Sequence, residues 1–266
     1  MNYKKKLIKT ITHSLDGPLL DTIKIAFSAN APFNEYPFCI PLIKNLKNIN
    51  FPQQVTFFVG ENGTGKSTIM EAIAQKSGFG PEGGSKNIHF KTSQENTYTG
   101  TESLADAMTL SWRKKPMNGY FFRAESFFNV ANYLDLIAKN GGPELAYGPY
   151  GGKSLHEQSH GESFLAFFKN RLGIEGFFLF DEPEAALSPQ RQLSLLAIMH
   201  DICKHNTHAQ FIIATHSPLL LAYPNATIYS CDGDALTQIS YEDTLHYQIT
   251  KNFLNNPEGY LRYLCD

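Results

Sequence analysis

The chain is poor in the features that would place it in several broad classes at once. Four cysteines, Cys39, Cys203, Cys231 and Cys265, are scattered through 266 residues. They show neither the density of a disulfide-stapled scaffold nor the paired spacing of a zinc site, so they read as reduced thiols. The formal net charge is only −2, which gives no general attraction to nucleic acid or to an anionic membrane surface. The one basic run, Lys4-Lys5-Lys6, reads as a solvated flank. No apolar stretch approaches the length of a membrane span, and the opening residues lack the apolar core of a secretory leader. A soluble, cytoplasmic protein is expected. Internal repeats and sustained heptads are absent, which excludes solenoids and long coiled coils, and no nuclease motif is recognisable.

With 42% hydrophobic residues, the chain suits one large α/β domain, 1–266, better than two independent ones. Three short, strongly apolar runs, 54–59, 176–180 and 210–215, read as buried parallel strands. Each leads directly into polar, motif-like residues, as expected where chemistry gathers at the carboxyl ends of a doubly wound sheet. The residues through about Phe51, punctuated by Pro32, Pro37, Pro41 and Pro52, are expected to add edge strands. Core material is expected at about 1–76 and 172–266. A helical lobe is expected at about 77–171, with helical stretches near 101–112 and 126–139.

The first apolar run opens into Gly60-Glu61-Asn62-Gly63-Thr64-Gly65-Lys66-Ser67-Thr68, followed by helical spacing at Ile69, Met70, Ile73 and Ala74. Strand, Gly-rich turn and helix in that order are the setting a phosphate-binding loop requires. Glycines let successive backbone N–H groups converge on phosphate oxygens, and the helix adds its positive N-terminal end. Lys66 is expected to reach the β- and γ-phosphates, and Ser67 to hold Mg²⁺. Gly151-Gly152-Lys153-Ser154 resembles the end of a second such loop, but Tyr147 stands where its first glycine belongs and no apolar strand precedes it. It reads as an ordinary loop.

The second run, Phe177-Phe178-Leu179-Phe180, ends in Asp181-Glu182. Beside a phosphate-binding loop, Asp181 suits a Mg²⁺ ligand and Glu182 a group that orients or deprotonates the attacking water. Ser188 and Pro189 then open a helix. The third run ends in Thr215-His216-Ser217. His216 reads either as a satisfied turn residue or, next to the two acids, as a sensor of the terminal phosphate. Ser159-His160-Gly161-Glu162-Ser163 has capping-box spacing before an apolar segment. A helix start there is either merely a cap or a second anion site.

The ordered set of phosphate-binding loop, Ser-His-Gly-Glu-Ser, Asp181-Glu182-Pro183, Ala185 to Ser188, and His216 resembles the ABC-class ATPases. It is closest to their soluble, SMC-like, stand-alone "predicted ATPase" branch, over about residues 40–230. In that family these pieces are Walker A, signature, Walker B, D-loop and H-switch. The resemblance implies a P-loop ATPase head with a mostly parallel core, N-terminal antiparallel edge strands and an inserted helical lobe. It further implies ATP and Mg²⁺ as ligands and a homodimer that closes on ATP. Ser159, His160, Gly161 and Glu162 of one subunit would face the Walker A loop of the other. The signature departs from the Leu-Ser-Gly-Gly-Gln of transporter relatives. The Q-loop position stays open between Gln94, after a strand expected at Asn87 to Phe90, and Arg123 or Glu125, after Tyr120 to Phe122. The adenine contact is not assigned.

Mg-dependent ATP hydrolysis driving dimerisation is the leading expectation. The resemblance implies a switch in DNA maintenance or phage defence, acting on DNA or through a separately encoded nuclease or toxin. A transporter's nucleotide-binding subunit, with Phe121, Phe122, Phe127, Phe128 and Tyr133 offering contacts to a membrane partner, is the alternative; the altered signature argues against it. A regulator that binds nucleotide without turnover is the third reading, against which Glu182 and His216 stand. The C-terminal segment, about Glu242 to Leu264, has apolar helical spacing at Leu245, Ile249, Phe253 and Leu254. It is expected to pack on the sheet, with a partner interface as the alternative.

Overall fold

The computed structural model describes residues 17–80, 83–85, 100–124, 127–148, 152, 154, 168, 175–205 and 208–265. In chain order the strands are β1 (Leu20–Ile25), β2 (Asn48–Asn50), β3 (Val55–Val59), β4 (Met108–Trp112), β5 (Gly119–Arg123), β6 (Gly176–Asp181), β7 (Ala209–Ala214), β8 (Thr227–Ser230) and β9 (Thr237–Ile239). The helices are α1 (Pro41–Asn45), α2 (Lys66–Lys76), α3 (Glu102–Ala107), α4 (Phe127–Gly141), α5 (Pro143–Tyr147), α6 (Pro189–His205), α7 (Pro218–Leu221), α8 (Leu245–Asn255) and α9 (Pro257–Cys265). A 3₁₀ turn spans Pro183–Ala186.

The main sheet has the order β5-β6-β7-β3-β8-β9 and is parallel except for β9. Every residue of β3, β6 and β7 is buried, which explains why these strands read as continuous apolar runs without alternation. A second sheet, β2-β1-β4, is antiparallel throughout. One core packs α1, α2 and this small sheet against one face of the main sheet, through Ile43, Ile69, Ile73, Phe121 and Leu179. The other core lies on the opposite face beneath α6, with Leu195 and Met199 over Phe178, Phe180 and Phe211. The Phe178 and Phe211 rings stack at 5.0 Å.

The stretch 101–112, expected to be helical, changes character at Met108. Residues 108–112 form β4, paired antiparallel with β1 from Leu20↔Trp112 to Ile25↔Met108. Burial along β4 alternates at its start, Met108 buried and Thr109 exposed, which is the two-residue period of a half-covered strand. Both β4 and β5 lie within 77–171, so that span contributes strands to both sheets as well as helices. The helix expected near 126–139 is α4. Within this region Asp135 accepts hydrogen bonds from Tyr147 Oη at 2.6 Å and Ser154 Oγ at 2.9 Å, so Ser154 is tied to α4 rather than to a second phosphate loop.

The C-terminal segment is helical, as α8 and α9, but it does not pack on the sheet. No residue of α8 is buried, and Leu254 and Leu264 are 70% and 69% exposed. The sheet faces are already covered by α2 and α6, and α8 touches the body mainly at its first turn, beside α7.

Candidate nucleotide site

The site lies at the carboxyl ends of β3, β5, β6 and β7, where their loops converge. Ladder hydrogen bonds continue past the strand ends and fix those loops. Glu182 N–H donates to Ala214 O at 2.9 Å, and Thr215 N–H to Phe58 O at 3.1 Å. Arg123 and Asp181 are register partners, as are Asp181 and Ala214, so the three strand ends stand side by side.

The loop after β3 is a tight Gly-rich turn that runs straight into α2. Gly60 has φ 155°, and a Cβ there would stand 3.0 Å from Asp232 Oδ1. Gly65, with φ 102°, is the left-handed N-cap of α2 and packs against Ile40. Both positions demand a residue without a side chain. Thr64 Oγ1 donates to Glu61 O at 2.9 Å, closing the turn across Asn62 and Gly63. Lys66 is buried, and its Nζ donates to Gly60 O at 2.7 Å and to Glu61 O at 2.9 Å. These carbonyls take two of the three ammonium protons and hold the charge at the loop's mouth. Thr68 Oγ1 shares a proton with Tyr36 Oη at 3.1 Å.

Ser67 Oγ donates to Asp181 Oδ1 at 3.0 Å, joining the first turn of α2 to the end of β6. Burial pushes the Asp181 carboxyl up from 3.8 to about 7, against the opposing pull of the Arg123 guanidinium and of the Ser67 hydrogen bond. Arg123 meets Glu71 Oε1 at 2.9 Å through Nη1, and its Nε lies 3.7 Å from Asp181 Oδ2. A half-buried arginine thus bridges the helix α2 and the acid-ended strand.

Glu182 has φ 49° and ψ 53°, a left-handed backbone that a branched or long side chain adopts only under constraint. The constraint comes from its own N–H on Ala214 O and from Ala185 N–H on its carbonyl at 3.1 Å. The strained turn lifts the carboxylate to 3.4 Å from His216 Nε2. His216 N–H donates to Glu184 Oε1 at 2.6 Å. Burial raises the Glu184 carboxyl above its usual range, against that hydrogen bond and one with the Thr215 side chain. On its other side, His216 Nδ1 lies 2.9 Å from His246 Nε2.

The structure therefore brings together the whole Gly60–Thr68 loop, Asp181, Glu182 and His216. Ser159, His160, Gly161 and Glu162 lie outside the described residues, as do Gln94 and Glu125, so Arg123 is the Q-loop candidate whose position is seen. Reading the sequence missed four contributors. Asp232, just past β8, accepts from Glu61 N–H at 2.8 Å. Glu71, Glu184 and His246 also border the site. Asp232 carried a signal, being an acid at the end of another apolar strand, whereas His246 carried none.

The donor set fits a magnesium nucleotide. Ser67 and Asp181 offer a hydroxyl and a carboxyl already within one hydrogen bond of each other. Among the described residues no cluster of three or more His, Cys, Asp and Glu could hold a metal by itself. Few protein ligands suit Mg²⁺, which keeps waters and phosphate oxygens in its shell.

The family described as "AAA domain" matches residues 37–127. A second, described as "AAA domain, putative AbiEii toxin, Type IV TA system", matches residues 162–222. The first segment carries the P-loop and Arg123, and the second carries Asp181, Glu182 and His216. Each match covers part of the chain, and both families are described as AAA domains. No curated protein matches the sequence. Among solved structures, the SMC head domain from Thermotoga maritima is 16% identical, with TM-score 0.42, over 84% of this chain and 98% of that one. An ATP-binding cassette of an ABC transporter in its ADP conformation is 16% identical, with TM-score 0.46, over 93% and 99%. CbiO1 from Clostridium perfringens, part of an ABC transporter complex, is 19% identical, with TM-score 0.44, over 82% and 92%.

Proposed function

We propose that the chain binds Mg-ATP, hydrolyses it to ADP and phosphate, and uses the bound nucleotide to close a homodimer. The observation that carries this reading is the juxtaposition of two pairs. Ser67–Asp181 at 3.0 Å and Glu182–His216 at 3.4 Å meet at adjacent strand ends beside Lys66. A pure nucleotide binder needs only the first pair.

Ser67 and Asp181 would hold the magnesium ion, which would supply charge neutralisation to the triphosphate. Lys66 exchanges loop carbonyls for phosphate oxygens. Glu182 accepts the proton of the attacking water as its oxygen bonds the γ-phosphorus and the bond to ADP breaks. His216 offers an N–H to the terminal phosphate. Arg123 holds Asp181 in place from β5. Ser159, Gly161 and Glu162 of the partner subunit's signature would complete the phosphate cage in trans.

The biological setting we infer is a cytoplasmic defence switch acting with a separately encoded effector, a nuclease or toxin. The match over 162–222 to a family whose description names a toxin of a type IV system supports this over DNA maintenance.

Light scattering and phosphate release on wild type and Glu182→Gln test the enzymatic reading. The variant is expected to lose hydrolysis, keep ATP binding and become dimeric only with Mg-ATP. Undiminished hydrolysis by Glu182→Gln would remove the role assigned to Glu182. A constant monomeric mass with bound nucleotide would remove the homodimer.

A further inference from the structure

His246 stands at the start of α8, thirty residues beyond the turn that carries His216, yet the two rings meet with centroids 5.0 Å apart and a nitrogen–nitrogen distance of 2.9 Å. The first turn of α8 is anchored for this contact. Thr244, fully buried, caps the helix by accepting from Tyr247 N–H and donates its own proton to Tyr241 O at 2.7 Å. Tyr241 Oη in turn donates to Pro218 O at 3.0 Å, two residues past His216. The rest of α8 is exposed, so its ordered purchase on the body is this corner.

We propose that His246 is a positioning residue that donates its Nε2–H to His216 Nδ1 and so fixes the His216 tautomer whose proton sits on Nε2, facing Glu182 and the terminal phosphate. The proposal rests on the phosphate-sensing role given to His216 above. One proton lies between His216 Nδ1 and His246 Nε2, and the surroundings decide which ring supplies it. If His246 accepted, its own proton would sit on Nδ1, a buried atom with no hydrogen-bond partner. A buried N–H without an acceptor costs the full desolvation of that donor. The opposite arrangement leaves a bare lone pair at His246 Nδ1, and under-satisfied acceptors are tolerated more readily than orphaned donors. It also sends the remaining His216 proton to Nε2, which likewise forms no hydrogen bond but, unlike His246 Nδ1, faces a carboxylate, that of Glu182 at 3.4 Å. A charged His246 would again place a proton on the partnerless Nδ1. Burial, and then the neighbouring His216, lower the His246 pKa, consistent with a neutral ring that donates through one nitrogen only. The consequence is a sensor held with its N–H toward the reaction and unable to turn a lone pair there instead. Tautomer control by a hydrogen bond on the far ring nitrogen is how a positioned imidazole is commonly made single-purpose.

The test combines nitrogen-15 NMR of the histidine rings with steady-state kinetics on the full chain. In nucleotide-free wild type, His216 is expected as the Nε2–H tautomer, and in His246→Leu as a mixture of both. His246→Leu should lower kcat about ten- to a hundredfold, the range for loss of an orienting partner, while KM and ATP affinity hold. His246→Gln, which retains a donor near the Nε2 position, should recover most of kcat and the wild-type tautomer. An Nδ1–H tautomer at His216 in the wild type overturns the proposal, as does an unchanged ratio of tautomers in His246→Leu. If the wild type proves not to hydrolyse ATP, the proposed function fails while the tautomer reading still decides the His246–His216 contact. Should His246→Leu not fold, the wild-type and His246→Gln spectra decide it.

Discussion

Ser67 donates its hydroxyl proton to Asp181 across 3.0 Å, so two residues 114 positions apart in the chain are joined at the place proposed for the magnesium ion. Ser67→Ala removes one ligand and the hydrogen bond that helps keep Asp181 ionised. Nucleotide affinity measured by calorimetry is expected to become nearly independent of Mg²⁺ in this variant. In wild type, removal of Mg²⁺ by chelation should weaken ATP binding at least tenfold, about 1.4 kcal/mol. Equal magnesium dependence in the two proteins would place the cation elsewhere.

Asp181 makes the nucleotide-free protein sensitive to pH. Burial raises its pKa from 3.8 to about 7, so between these values the folded state holds a proton that the unfolded chain has released. Stability from this group is fully present below about pH 4 and is lost as the pH rises through about 7. The upper bound on that loss is about 4 kcal/mol. Asp181→Asn carries no such charge. The melting temperature of the variant relative to wild type is expected to rise between about pH 5 and about pH 8, measured without nucleotide. A gap that shrinks over that range would contradict the buried-acid reading.

Glu184 accepts the backbone proton of His216 at 2.6 Å from a half-buried position, and so it ties the loop after β6 to the turn after β7. Glu184→Ala leaves that N–H without its acceptor, a loss of about 1–3 kcal/mol. Glu184→Gln keeps a carbonyl oxygen at the same place and should cost less than half as much. Urea unfolding of the two variants separates a lost hydrogen bond from a lost charge. Equal destabilisation would mean that the charge matters.

Much of this site was legible in the sequence because its parts sit at the ends of strands buried on both faces. Such strands are continuous apolar runs, and the residues immediately after them are fixed in space by the sheet. That is why local pattern singles out Lys66, Ser67, Asp181, Glu182 and His216, and why the fold sets them at neighbouring strand ends. What lay hidden depends on side-chain contacts across long sequence separations. Met108 to Trp112 sit next to a short helix, and only the pairing with β1 selects the strand. Leu245 to Leu264 carry an amphipathic pattern, but a pattern does not say whether any face of the sheet remains uncovered. His246 has no neighbouring motif, and Glu71 is one polar residue in a helix whose other inward positions are mostly apolar. The contacts of both arise from packing that no spacing announces.

The shape of the phosphate loop rests on the absence of a side chain at Gly60 facing Asp232. With φ 155° at Gly60 and Asp232 Oδ1 3.0 Å from where a Cβ would stand, Gly60→Ala pushes against the carboxylate that holds Glu61 N–H at 2.8 Å. Backbone strain and the clash together predict a loss of about 1–3 kcal/mol at this one residue, borne by the loop rather than the core. ATP affinity should fall at least tenfold while the far-ultraviolet circular dichroism stays that of the wild type. Asp232→Ala alone frees the Glu61 N–H and removes a negative charge from the loop, so ATP affinity should rise or hold. In the double variant the contact with Asp232 is gone, but the strained φ and the 3.2 Å approaches to Cys231 Cβ and Thr64 Oγ1 remain. Its ATP affinity should recover part of the Gly60→Ala loss, giving a non-additive cycle of about 1 kcal/mol between the two positions. Strict additivity would show that Asp232 has no part in the effect of a side chain at Gly60.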